Sequence, residues 1–235
     1  IKRFLHEAKI AAQLTHPSII AIYSLHTEGD QIYYTMPYIE GETLKNILKK
    51  TREGEKNGDS HHSIGSSIPL LIRIFLNICQ AIDYTHSNGF LHRDLKPENI
   101  MVGKFGEVTI LDWGIAHRIE DRKEEESESV ESVIDPNLTQ PGKVVGTVTY
   151  MAPERALKYP SSIQTDIYSL GIMLYQILSL RLPFTRPSLR EFRENMHLES
   201  WQEPQEAAPY RDIPLQLSLI AKKCMHPSPA KRMPS

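Results

Sequence analysis

The sequence predicts an α+β fold in two lobes, a small sheet-bearing part over residues 1–38 and a mainly helical part over residues 39–235. Three observations carry this expectation. β-rich runs are confined to the residues before Tyr38 and to a short pair around Gly106, apolar residues recur at helical spacing from Thr43 onward, and a polar loop at Leu91–Asn99 follows the longest helical pattern.

At 235 residues and 40% hydrophobic content, the chain can bury the core of one large domain or of two lobes around a cleft. A net charge of −2 and a pI near 6.6 leave no basic surplus to hold a polyanion, so nucleic acid is not an expected partner. Cys79 and Cys224 lie far apart inside apolar helical patterns, which suits reduced core thiols in the cytoplasm. The longest apolar stretch, Leu170–Leu180, is too short and too punctuated to span a bilayer, so no membrane segment is expected. The first residues, Ile1-Lys2-Arg3-Phe4, open mid-pattern without a signal peptide or initiator Met, and read as internal to a longer chain.

Along the chain, Leu5, Ala8, Ala11, Ala12 and Leu14 predict a helix over Phe4–Leu14 that stops at His16-Pro17. Runs at Ile19–Leu25 and Gln31–Tyr38, joined by Glu28-Gly29-Asp30, predict an antiparallel hairpin, whose open edges imply further strands upstream. A helix is expected from Thr43 to about Lys50, then a polar surface loop over 52–67, whose His61-His62 pair lacks the spacing of a metal site. Ile68–His86 reads as a long, mostly buried helix closed by Asn88-Gly89. Ile100–Val102 and Val108–Leu111 predict two strands that set Asn99 and Asp112 at adjacent strand ends. Glu120–Pro141 carries a dense acidic run mixed with serines, and beyond Pro153 helices are expected at Asp166–Leu180, around Arg190–Leu198 and at Leu215–Met225.

The chemistry concentrates in Leu91-His92-Arg93-Asp94-Leu95-Lys96-Pro97-Glu98-Asn99, followed by Leu111-Asp112-Trp113-Gly114 and, downstream, Met151-Ala152-Pro153-Glu154. This pattern holds a carboxylate, an amide and a second carboxylate at a spacing that phosphoryl transfer can use. That reaction needs alignment and charge neutralisation rather than covalent help. Asp94 is the candidate base for a Ser or Thr hydroxyl, while Asn99 and Asp112 offer a neutral and a charged oxygen to a metal. Alone, Asp94 could be a surface-loop residue and Asn99 or Asp112 an Asx turn; together they fit poorly with either account. Lys96 is positioned to set an ammonium near the transferring phosphate, and Arg93 to pair with a phosphate arriving on the segment Ser127–Thr149, with Thr139, Thr147 and Thr149 as candidates.

These motifs resemble the eukaryotic-like, Hanks-type serine/threonine protein kinases over nearly the whole chain. The wording of Tyr34-Thr35-Met36-Pro37-Tyr38-Ile39-Glu40-Gly41 and of Leu111-Asp112-Trp113-Gly114 is most similar to the bacterial branch of chlamydial PknD type. The resemblance implies a protein-kinase-like two-lobed fold. In it, residues 1–38 are the remnant of an amino-terminal lobe lacking its first strands, 52–67 is a loop insert and 112–154 the activation segment. It implies ATP with Mg2+, or Mn2+, as cofactors, and protein substrates bearing Ser or Thr, the protein itself included. Glu7 looks like the helix glutamate that pairs with a nucleotide-binding lysine, Met36 like the gatekeeper, Pro37 and Ile39 like hinge residues and Met101 like the floor of the adenine pocket. Gly146-Thr147 and Lys96 resemble the Ser/Thr-specific members, Asp166 the brace of the catalytic loop, and Glu154 with Arg232 the buried structural pair. Trp113 departs from the family's usual Phe, but can pack beneath the helix bearing Glu7. The Gly-rich phosphate loop and the strand lysine do not occur in these residues, so residues 1–235 alone are expected to transfer phosphate poorly. The alternative is a pseudokinase-like nucleotide-binding or scaffolding module.

Overall fold

The computed structural model describes residues 2–29, 31–57, 67–113, 115–119 and 148–234, without the side chains of residues 2–4, 6 and 7. The chain divides into two compact units, Ile1–His92 with Pro97–His117, and Arg93–Lys96 with Arg118–Ser235. This division does not follow the expected boundary after residue 38. The reason is local: Ile19 bridges to Ile110 in parallel, Ile20 donates its N–H to the Ile110 carbonyl at 3.1 Å, and Ile110 donates to the Ser18 carbonyl at 2.8 Å. Those bonds tie the amino-terminal residues to a strand ninety positions downstream.

In the first unit, α1 (Lys2–Ala11) buries Ala8, Ile10 and Ala11. β1 (Ser24–Glu28) and β2 (Gln31–Thr35) pair antiparallel from Ser24↔Thr35 to Glu28↔Gln31. The first expected strand run is thus split, since its opening isoleucines pair toward Ile110 and only its end enters the hairpin. β2 ends before Pro37, which has no N–H to give a ladder. A two-residue β3 (Glu42–Thr43), absent from the sequence reading, pairs with β5 (Ile100–Val102), which pairs in turn with β6 (Val108–Ile110). Gly41, at φ +157°, makes that approach possible, because a Cβ there would lie 2.3 Å from the Val102 carbonyl oxygen.

α2 (Leu44–Asn57) runs past Lys50 into the stretch expected to be loop. Leu44, Ile47, Leu48 and Thr51 form one buried stripe, and the Thr51 hydroxyl donates to the Ile47 carbonyl at 2.8 Å, so burial overrides the polar composition. The His61-His62 pair lies outside the described residues. α3 (Ile68–Ser87) is capped by Ser67, whose hydroxyl accepts from Leu70 N–H at 3.4 Å, and buries Leu71, Ile74, Phe75, Ile78, Ala81 and Ile82. Among the described residues it is the helix long and apolar enough to cross a membrane by length and composition, a property the reading of Leu170–Leu180 passed over. Its most apolar face is a core stripe of this unit. Cys79, on α3, is half-buried rather than a core thiol, and a short β4 (Phe90–Leu91) follows.

The second unit is helical: α4 (Pro153–Ala156), α5 (Ile163–Ser179), α6 (Leu189–Asn195), α7 (Pro204–Ala207) and α8 (Leu215–Cys224), with short 3-10 turns at Met196–Leu198 and Pro229–Lys231. α5 is its core, buried almost all round. It starts three residues before Asp166, where Thr165 Oγ1 accepts from Ser162 N–H at 3.0 Å. Gly171 lets α8 lie against it, because a Cβ there would meet the Cys224 Cβ at 2.6 Å.

Candidate active site

In the second unit, the loop residues Arg93–Lys96 take their shape from α5. Arg93 sits at φ 67°, a left-handed conformation that disfavours side chains, and its N–H donates to Asp166 Oδ1 at 2.8 Å. Asp166 is fully buried on the first turn of α5, so a carboxylate on a rigid helix holds the backbone one residue before Asp94. Lys96 Nζ donates to Asp94 Oδ2 at 2.5 Å, with the two side chains 15% and 13% exposed. The result is a carboxylate oriented by an ammonium and still within reach of solvent. It can accept a proton, and the ammonium can face an anion.

In the first unit, a 3-10 turn (Pro97–Asn99) leads into β5. The Asn99 carbonyl accepts from Leu111 N–H at 2.8 Å, extending the β5–β6 ladder by one step beyond Ile100↔Ile110. Asn99, 7% exposed, and Asp112 therefore lie at adjacent strand ends, as the spacing of the two runs implies. Asp112 is exposed at φ 60°, and the next side chain, Trp113, is fully buried with its ring 4.6 Å from that of buried His92. A backbone in this rare region thus turns one side chain out and the next in. An amide oxygen and a carboxylate are hard donors suited to a magnesium-type cation. Among the described residues no three His, Cys, Asp or Glu side chains gather as a possible metal site.

The expected adenine-side residues are less gathered. Met36 is 51% exposed, and Pro37, Ile39 and Met101 are half-buried. A cleft of about 720 Å3 in the first unit is lined by Ile39, Tyr38, Gly41, Ile47, Val102 and Phe105 among others, but not by Met36, Pro37 or Met101. α1 includes Glu7, whose side chain lies outside the description, as do Gly114, Thr139, Gly146, Thr147 and the acidic run. Thr149 is 3% exposed, so its hydroxyl is closed to a modifying enzyme in this conformation.

Glu154 and Arg232 form a bidentate pair at 2.7 and 2.8 Å, both nearly fully buried. Thr165 donates to the carboxylate at 3.1 Å, and Arg232 spends its remaining donors on the Gln164, His226 and Pro227 carbonyls. A second pair, buried Arg186 with part-buried Glu199 at 2.6 and 2.8 Å, was not expected from the sequence. Tyr168 joins the two: its ring lies 4.8 Å beneath the Arg232 guanidinium and its hydroxyl accepts from Arg186 at 2.7 Å. Burial raises the Tyr168 hydroxyl above its ordinary pKa, with Arg186 opposing. Nothing in the spacing announces the Arg186 pair, whose side-chain partners Glu199 and Tyr168 lie thirteen and eighteen residues away and whose other acceptors are backbone carbonyls.

The family model described as protein kinase domain matches residues 1–235. Serine/threonine-protein kinase PknD of Protochlamydia amoebophila (strain UWE25) is 56% identical over 227 residues, covering 95% of this chain and 23% of that protein. The proteins of the same name from Chlamydia muridarum (strain MoPn / Nigg) and Chlamydia pneumoniae are 46% and 44% identical, each over 100% of this chain and 26% and 25% of their own lengths. The chain spans about a quarter of the length of these curated relatives.

Proposed function

The chain belongs to the protein kinase domain family, and from that premise we propose that it serves a protein serine/threonine kinase transferring the γ-phosphoryl group of ATP to Ser and Thr hydroxyls of proteins. Membership brings ATP, a divalent metal and protein substrates in general terms; Mg2+ as the working metal, with Mn2+ as a substitute, self-phosphorylation and a cytoplasmic setting are our extension. What supports the reading most is the joint presence of Asp94, Asn99 and Asp112, the last two at paired strand ends.

In this proposal Asp94 receives the proton of the substrate hydroxyl, oriented by Lys96, whose ammonium also faces the transferred phosphoryl group. Asn99 and Asp112 would hold the metal. The chemistry a divalent cation would supply there is neutralisation of charge on the phosphate oxygens. Asp166 fixes the loop backbone through Arg93, so Asp94 does not have to be ordered anew in each turnover. Met36, Pro37, Ile39 and Met101 are proposed to meet the adenine and Glu7 to pair with a nucleotide-binding lysine. Arg93 is proposed to receive a phosphate carried by the segment containing Thr139 and Thr147. Cytoplasmic placement rests on the two free thiols.

A binding-only module is not supported. Such a module has no need of the base and of both metal-holding residues, and the relatives are named as kinases. The intact protein incubated with γ-labelled ATP, Mg2+ and casein is expected to label Ser and Thr, and to lose that labelling with EDTA and by at least about a hundredfold with Asp112→Asn. Labelling that survives both treatments would contradict the proposal.

A further inference from the structure

In the first unit, the short pairing of β3 with β5 at Glu42↔Val102 builds the cleft of about 720 Å3, a volume within the range of binding clefts. Its lining comes from the segment Tyr38–Glu42, from α2 and from the turn between β5 and β6, with Ile47 and Val102, both buried, as its apolar floor. That turn is fixed by its own hydrogen bonds. Gly106 N–H donates to the Gly103 carbonyl at 3.1 Å, Gly103 N–H to the Glu107 carbonyl at 2.8 Å, and Phe105 N–H to Glu107 Oε2 at 2.9 Å. Held so, Phe105 stands 86% exposed, and Tyr38, on another lining segment, stands 88% exposed. Large aromatic rings lose little conformational entropy on being covered, which is why they anchor protein interfaces.

Charge decides what covers them. The carboxylates of Glu40, Glu42 and Glu107 line the cleft together with the ammonium groups of Lys50 and Lys104. Glu42 takes Lys50 in an ion pair, Lys104 lies 5.8 Å from the Phe105 ring centroid, and among the described residues Glu40 carries no ion pair. An exposed carboxylate in the same groove as two aromatic rings favours a cation, which gains from Coulomb attraction and from the ring faces. The same carboxylates disfavour a phosphate-bearing ligand.

We propose that this groove is a docking site for an extended segment of a partner protein that sets an arginine or lysine against Glu40 and an aliphatic side chain against Ile47 and Val102, with Tyr38 and Phe105 covering the segment. Such docking goes beyond phosphoryl transfer, since it uses no group that receives the proton or holds the metal; of the residues proposed to meet adenine it shares Ile39.

The test is fluorescence anisotropy of the intact protein with a fluorescein-labelled peptide of alternating arginine and leucine, beside peptides carrying glutamate for arginine or serine for leucine. The arginine–leucine peptide is expected to bind, and either exchange to weaken binding by about tenfold or more. Phe105→Ala is expected to weaken it by about tenfold and Glu40→Lys by at least as much; both side chains are exposed, and Glu40→Lys carries the test if Phe105→Ala does not fold. A saturating non-hydrolysable ATP analogue is expected to leave the affinity within about twofold, as for uncoupled sites. No binding of the arginine–leucine peptide, equal binding of the glutamate or serine peptide, unchanged affinity in a folded variant, or displacement by the ATP analogue would overturn the proposal. A dimer of the wild-type protein that Phe105→Ala dissociates in sedimentation equilibrium would give the groove to a second copy and overturn it as well. None of these measurements requires catalysis, so a protein that binds the peptide as expected but transfers no phosphate would overturn the kinase reading alone.

Discussion

One hydrogen bond from the Arg93 N–H to a buried aspartate holds the conformation on which the candidate base depends. Arg93 at φ 67° is costly for a residue with a Cβ, and its N–H bond to Asp166 at 2.8 Å is what offsets that cost. Asp166→Ala would leave a part-buried N–H without its acceptor, and is expected to destabilise the protein by about 1–3 kcal/mol and lower kcat, whereas Asp166→Asn, keeping an Oδ1 acceptor, should do less on both counts. Denaturant unfolding with initial rates checks this; equal effects of the two variants would show that the hydrogen bond is not what matters. The cysteines separate by environment. Burial pushes the Cys224 thiol up to about 11, so little thiolate exists at pH 8, while Cys79 is half-buried on α3. Iodoacetamide at pH 8 followed by peptide mapping should mark Cys79 well ahead of Cys224, with Cys224 modified only on unfolding.

At the scale of elements, the close packing of α5 and α8 hangs on the absence of one methyl group. A Cβ at Gly171 would stand 2.6 Å from the Cys224 Cβ and 3.1 Å from the Met225 N, so Gly171→Ala should force the helices apart. The expected loss is about 1–3 kcal/mol despite alanine's better helix propensity, read as a lower denaturant midpoint; an unchanged or raised midpoint would mean that α8 yields freely. The elements also show what sequence pattern carries. β5 and β6 were readable because β-branched runs flank Lys104-Phe105-Gly106, and α3 and α5 because their apolar period is long. β3 was not, since two residues have no period and its pairing depends on Gly41 meeting Val102. The far end of α2 was hidden by Arg52, Glu53 and Lys56, exposed polar residues that a helix tolerates on its outer face once Thr51 is buried.

At the scale of the molecule, most of the candidate site was readable because the chemistry is local: Asp94, Lys96 and Asn99 lie within six residues, and Asp112 follows one hairpin later. The Glu154–Arg232 pair, seventy-eight residues apart, was reached only through resemblance, and the Arg186–Glu199 pair by neither route. Long-range partners of that kind leave no period, and carbonyl acceptors leave no residue type to read. The two compact units likewise followed from hydrogen bonds at Ile19, Ile20 and Ile110 that no propensity announces. The proposed catalysis depends on Asp94, the group that would receive the substrate proton. Measured as γ-phosphoryl incorporation into casein by the intact protein, Asp94→Asn is expected to lower kcat by about 10²–10⁴ with the KM for ATP little changed. Incorporation at the wild-type rate by the Asp94→Asn protein would contradict it.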